Sequence, residues 1–189
     1  MPHPNASGGA TRLVLGGAII WCAALVLGPP LRPDLDPLST HPETYALGQW
    51  GFLMRAGYAA VAIAGGAAAY LVRSSRVSAI LLAVFAVGAF LIGLMPPTGG
   101  KGLADELFPY LQFAPVAFLP AIAWISWRMR RRALVVLAAL AWLLFLPLVG
   151  GEPPGGGLIN RAADLTMGAW LATFAMVVQR VPASRVAHP

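Results

Sequence analysis

Cysteine is nearly absent: Cys22 alone, in 189 residues, excludes an intrachain disulfide and any metal site built from cysteine pairs. Histidine is almost as scarce. Only His41 lies away from the two ends of the chain, no His-x-x-x-His spacing exists, and Asp34 with Asp36 lacks the further ligands of a calcium loop, so no metal is expected. Charged residues make up 11% of the chain, less than half of the roughly 25% usual in soluble domains. The composition is filled instead by apolar residues, 58% of the total, and the mean hydropathy is +0.73. Water is therefore not the main solvent of this chain.

A bilayer core takes about 20 predominantly apolar residues per helix. Six such stretches are read, at 13–31, 47–72, 77–95, 108–127, 133–149 and 158–178. They consume most of the sequence, which leaves loops and short tails and makes the whole of 1–189 one transmembrane domain. The expected fold class is all-α, an integral membrane bundle of six transmembrane helices. Arg12 precedes an apolar run, as in an export signal, but Trp21 stands before Cys22 where a lipoprotein cleavage site needs a small residue. The first helix is read as uncleaved.

Charge assigns the sides. All seven acidic residues, Asp34, Asp36, Glu43, Asp105, Glu106, Glu152 and Asp164, fall at one set of alternate connections. Nine of the thirteen basic residues fall at the other: Arg12, Arg73, Arg76, Arg128, Arg130, Arg131, Arg132, Arg180 and Arg185. Basic residues beside apolar spans are retained on the cytoplasmic side, so both termini are expected in the cytoplasm, in a multi-pass protein of the cytoplasmic membrane. Arg32, Arg55, Lys101 and Arg161 are the exceptions. The net charge of +6 and pI near 10.5 follow from this sidedness rather than from a phosphate-binding surface, and no nucleic-acid partner is expected. Arg128, Arg130, Arg131 and Arg132, with Trp124 and Trp127 beside them, read as an interfacial anchor for anionic headgroups.

The short turns at 73–76 and 128–132 make helices two and three, and helices four and five, antiparallel neighbours. Gly28-Pro29-Pro30, Pro96-Pro97-Thr98-Gly99-Gly100 and Glu152-Pro153-Pro154-Gly155-Gly156-Gly157 are expected to stop helices, and Pro115 and Pro120 to bend the fourth. Helix two is rich in small side chains (Ala59, Ala60, Ala62, Ala64, Gly65, Gly66), which in lipid mark packed surfaces, so it is expected at the centre of the bundle.

Ionisable residues inside spans are the candidates for chemistry, because a charge at membrane depth costs about 2.5 kcal/mol or more unless paired or hydrated. Arg55 and Asp164 qualify and are expected to meet; the competing arrangement is a local pair of Arg161 with Asp164, three residues apart on one helix face. With His41 and Glu43 from the first loop, Arg55, Arg161 and Asp164 form the candidate ligand-binding set. His41-Pro42-Glu43 in a loop also reads as plain solvated surface. No catalytic set is legible: Ser39 near His41 lacks a nucleophile elbow, and neither glycine-rich stretch leads into the Lys-Ser/Thr of a phosphate loop. No cofactor is expected.

The run from Asp36-Pro37-Leu38-Ser39 through Tyr45-Ala46-Leu47-Gly48 to Gly51-Phe52-Leu53-Met54-Arg55-Ala56-Gly57 resembles the first loop and second helix of the bacterial family called domain of unknown function 998. Gly93-Leu94-Met95-Pro96 resembles its exit from the third helix. Gly157-Leu158-Ile159-Asn160-Arg161, with Trp170, resembles its sixth-helix opening. The resemblance implies a multi-helix membrane protein without an assigned reaction. Where relatives often carry Asp after the proline of the third loop and His at the start of helix four, this chain has Pro97-Thr98 and Tyr110-Leu111-Gln112-Phe113.

Three functional readings follow. The first is a non-enzymatic accessory protein or subunit, packing as a homo-oligomer or in a larger membrane complex. The second is a carrier or receptor for a small solute or lipid headgroup with an outward-facing polar site. The third, least favoured, is an outer-leaflet lipid enzyme using His41 or Asp164 as base.

Overall fold

The computed structural model describes residues 4–98, 102–111, 114–149 and 154–180. It is all-helical, with 82% helix and no strand among the described residues. The helices are α1 (Pro4–Leu31), α2 (Gly51–Leu71), α3 (Arg76–Leu94), α4 (Leu103–Leu111), α5 (Ala114–Met129), α6 (Arg132–Val149) and α7 (Gly156–Gln179), with a 3₁₀ turn at Pro42–Ala46. Four of them are long and apolar enough to cross a membrane: Gly8–Leu31 within α1, then α2, α3 and α7. Their mean hydropathies are 2.0, 1.4, 2.7 and 1.2. The two lowest belong to α2 and α7, which carry Arg55, Arg161 and Asp164. In α6 the apolar stretch Arg132–Leu148 is shorter.

Within the stretch 108–127 the described residues are helical on both sides of 112–113, as α4 and α5, and Pro120 is internal to α5. One detail differs from the sequence expectation. Pro29 and Pro30 do not stop α1 ahead of themselves; they occupy its last turn, and Arg32 N–H donates to the Pro29 carbonyl at 3.1 Å to close it.

Helix contacts run α1 to α2, α2 to α3, α3 to α5, α5 to α6, α6 to α7 and α7 back to α1, a closed ring of six. The short basic turns therefore do join neighbours, α2 with α3 and α5 with α6. Inside the ring an aromatic column fills the space: Phe85 lies 4.5 Å from Phe118, Phe118 5.8 Å from Trp170, and Trp170 is stacked on Phe174 at 5.2 Å between ring centres. A buried hydrogen-bond chain ties three helices to one another. Trp170 Nε1 donates to Ser126 Oγ at 2.9 Å, and Ser126 Oγ donates to the Leu134 carbonyl at 3.1 Å.

The small residues serve close crossings within this ring. A Cβ on Gly17 of α1 would lie 2.3 Å from the Ala60 carbonyl oxygen of α2, and one on Gly168 of α7 would lie 2.5 Å from Cys22 Sγ. Gly57 meets Ala24 and Trp21 in the same way, and Gly93 meets Tyr58. Helix α2, expected at the centre of the bundle, is the most extensively packed helix of the ring, with its short side chains divided between the α1 and α3 crossings. Because consecutive ring helices are antiparallel, Arg73, Arg76, Arg128, Arg130, Arg131, Arg132 and Arg180 collect at one end. Residues 32–50 and the start of α7 lie at the other. Lys101, Glu152 and Arg185 lie outside the described residues.

Gly17→Val should open the α1–α2 crossing and cost about 1–3 kcal/mol, the range for overpacking a close contact. Its melting temperature in detergent should fall by several degrees, whereas Gly66→Ala, which meets nothing within 4 Å, should not lower it.

Candidate functional site

Residues 32–50 form a cap over one end of the ring, built from local polar contacts. Arg32 Nε and Nη2 donate to the two carboxylate oxygens of Asp34 at 2.8 and 2.7 Å, and Nη1 donates to the Leu47 carbonyl. Gly48, at φ +79°, lies against this guanidinium, and its left-handed backbone conformation is the reason glycine stands there. Asp36 accepts from Leu38 N–H at 3.1 Å and from Ser39 Oγ at 2.7 Å. These bonds favour the ionised forms: the Arg32 bond holds Asp34 below the usual carboxylate range, and the Ser39 hydroxyl does the same first of all for Asp36.

The cap is seated on the start of α7 and on α2. Leu158 N–H donates to the Leu38 carbonyl at 3.2 Å. A Cβ at Gly157 would lie 2.6 Å from the Thr40 carbonyl oxygen, so no larger residue admits this approach. On the other flank Arg55 Nε donates to the Ala46 carbonyl at 3.1 Å.

Beneath the cap lies a cluster of buried polar side chains. Glu43 from the 3₁₀ turn is 9% exposed; from α7, Arg161 is 7% and Asp164 9% exposed; Tyr45 is 2% and Tyr58 of α2 is 7% exposed. Arg161 Nη1 donates to the Pro37 carbonyl at 2.9 Å, and its Cζ lies 5.1 Å from the centre of the Tyr45 ring, a cation–π contact. The Asn160 amide stands 3.0 Å from His41 Nδ1, and His41 Nδ1 lies 3.8 Å from Glu43 Oε1. The Glu43 and Asp164 carboxylates and the Tyr58 hydroxyl lie within electrostatic range of one another. Two shielded donors find no partner among the described residues: Arg161 Nη2 and Tyr45 Oη.

Four of the five residues singled out for binding, His41, Glu43, Arg161 and Asp164, are thus gathered beneath or within one cap. The fifth, Arg55, is exposed on α2, and no ion pair joins it to Asp164. Arg161 and Asp164 make no direct ion pair either, although they lie within Coulombic range; Nη1 goes to the Pro37 carbonyl and the guanidinium face to Tyr45. Nor is His41-Pro42-Glu43 a solvated stretch: Pro42 and Glu43 are buried where the 3₁₀ turn meets the ring. The anchor residues Arg128, Arg130, Arg131, Arg132, Trp124 and Trp127 are exposed at the opposite end, with Arg128 Cζ 5.9 Å from the Trp124 ring centre.

Tyr45, Tyr58 and Asn160 escaped the sequence reading. A signal existed for Asn160. Gly157, Asn160, Arg161, Asp164 and Gly168 recur at three- and four-residue steps, which places a small and polar stripe on one face of α7.

Chemically, the carboxylates suit a cationic or hydrogen-donating group, while Arg161 Nη2 and Tyr45 Oη suit an acceptor. A buried hydroxyl without a partner destabilises the fold that contains it by about 1–3 kcal/mol. Tyr45→Phe should therefore raise the melting temperature of the purified protein in detergent; a fall would show that this hydroxyl is satisfied.

No curated protein and no solved structure matches this chain. One family does, over residues 14–177, and these take in α2 to α6, most of α1 and α7, and the whole cap. The chain belongs to the family described as protein of unknown function (DUF998).

Proposed function

We propose that this protein is a membrane receptor or carrier for a small polar solute held beneath the 32–50 cap. The observation that carries the reading is the shielded, unpartnered donor Arg161 Nη2 near the Asp164 carboxylate, with a second such donor, Tyr45 Oη, on the ring that Arg161 faces. Ionisable groups inside a membrane bundle are expensive, and those retained there mark ligand or ion sites. A solute with an acceptor at one end and an amine or other donor at the other fits both halves of the cluster. Arg161 belongs to cap and cluster at once, so a ligand that engages Nη2 also bears on the contact holding the cap at Pro37.

An accessory-subunit role draws on the small-residue faces, and most of those are consumed in crossings of the ring itself. In the reading proposed here the chain crosses the cytoplasmic membrane six times. The segment α4–α5 supplies the fourth crossing, both termini lie in the cytoplasm, and the cap faces outward. The segregation of the arginines to the opposite end supports that orientation.

A panel of amino acids, amines and betaines, screened by thermal melting of the purified protein, tests the site. One chemical class should raise the midpoint, by an amount equivalent to about 2.7 kcal/mol at a hundredfold excess over Kd. The shift should vanish in Asp164→Asn purified in equal yield. Equal shifts in both proteins, or none in either, would remove this site as the binding place. Orientation has its own check: with Pro154→Cys and Gln179→Cys in intact cells, an impermeant thiol reagent should label the first and spare the second.

A further inference from the structure

Outside the ring, between α2 and α3, a groove of about 330 Å³ opens at the capped end of the bundle, lined by Arg55, Ala56, Ala59, Phe90, Gly93 and Leu94. Its origin is steric. Gly93 lets α3 close on α2 at Tyr58, where a Cβ would come within 2.6 Å of the tyrosine Cβ. Ala56 and Ala59 are too short to fill the space beside that contact, and Phe90 and Leu94, 52% and 60% exposed, overhang it. The walls are apolar and the mouth carries a permanent cation. Only Nε of Arg55 is engaged, by the Ala46 carbonyl; its two terminal nitrogens make no hydrogen bond within the described residues.

We infer that this groove is a binding site for an anionic phospholipid, with the headgroup phosphate on the Arg55 guanidinium and one acyl chain laid between Phe90, Leu94 and the alanines of α2. The argument is complementarity of charge and of depth. Arg55 stands one turn inside α2, roughly 6 Å along the axis from Gly51, where a long side chain reaches the headgroup level while its stem stays against apolar surface. A guanidinium offers paired N–H groups that match phosphate oxygens. In a helix long and apolar enough to span a bilayer, the surface beside it meets lipid chains, not water. The site is separate from the buried cluster. Arg55 has no ion pair with Asp164, and the groove faces away from the ring interior.

The experiment is native mass spectrometry of the protein released from bilayers of phosphatidylcholine with phosphatidylglycerol as the minor lipid. The wild-type protein should retain phosphatidylglycerol in preference to phosphatidylcholine. Arg55→Gln should cut that preference by about tenfold, the loss of one charge-assisted contact. Ala56→Trp, which fills the groove and leaves the arginine in place, should cut retention of both lipids. Should either variant fail to fold, the wild-type protein alone still decides. A phosphatidylglycerol carrying a photoactivatable acyl chain should crosslink to the α2 and α3 peptides that contain Ala59 and Phe90. Crosslinks confined to other helices, equal retention of the two lipids, or displacement of the lipid by glycerol phosphate alone would each overturn the inference. Loss of solute binding in Asp164→Asn with lipid retention unchanged would leave it standing, because that variant does not touch the groove.

Discussion

The bond from Arg161 to the Pro37 carbonyl holds the functional end of this molecule together. It joins a helix of the ring to a loop that also buries Tyr45 and Ala46 in the core, and it does so from a position shielded from solvent. A guanidinium placed there needs compensation for its lost hydration. The Pro37 carbonyl, the Tyr45 face and the nearby Asp164 supply part of it. Nη2 has no partner among the described residues, and in the reading proposed above a ligand acceptor meets that remainder.

The cap approaches closely enough for this only because α7 begins with glycines. Gly157 lies against the Thr40 backbone, and Gly155, at φ +77°, turns the chain into the helix. The same device recurs at mid-depth, where Gly17, Gly57 and Gly168 bring α1 against α2 and α7. Helices in lipid gain little from excluding water and much from close contact, so the absence of side chains at the crossings contributes as much cohesion as their presence elsewhere. Volume left inside the ring is filled by Phe85, Phe118, Trp170 and Phe174, whose edge and stacked contacts need the fixed spacing that the glycine crossings set.

Much of this was legible in the residues. Apolar run length located the helices, and the alternation of charge foretold that Arg73, Arg76 and Arg128 to Arg132 would share one end. Both are averages over many residues, which is why they survive without tertiary information. The site was half legible. Burial cost flagged Arg161 and Asp164, and the loop supplied His41 and Glu43, but the partners were misassigned because a guanidinium has five donors and a sequence does not say which carbonyl will arrive. Pro37 and Tyr45 reach Arg161 across more than a hundred residues, through a fold of the cap that no local period encodes. Arg55 was misplaced for a related reason. Depth along a helix can be counted from the sequence, but the face of α2 that meets the ring depends on where Gly57 and Gly65 find their neighbours.

Two arginines at one end of the bundle thus come to opposite circumstances through helix geometry alone. Arg161 lies on the buried face of α7 with only Nη1 bonded to the loop; Arg55 lies on the outer face of α2 and spends one nitrogen on the same loop. The cap is consequently gripped from two sides, once from within the ring and once from its rim. The 3₁₀ turn packs more extensively against α2 than against α7, so the Arg55 bond is the outermost of several contacts on that flank. The α7 flank is held by shielded contacts, Arg161, Gly157 and the Leu158 to Leu38 backbone bond, so the seat of the cap on the ring does not depend on the exposed arginine alone.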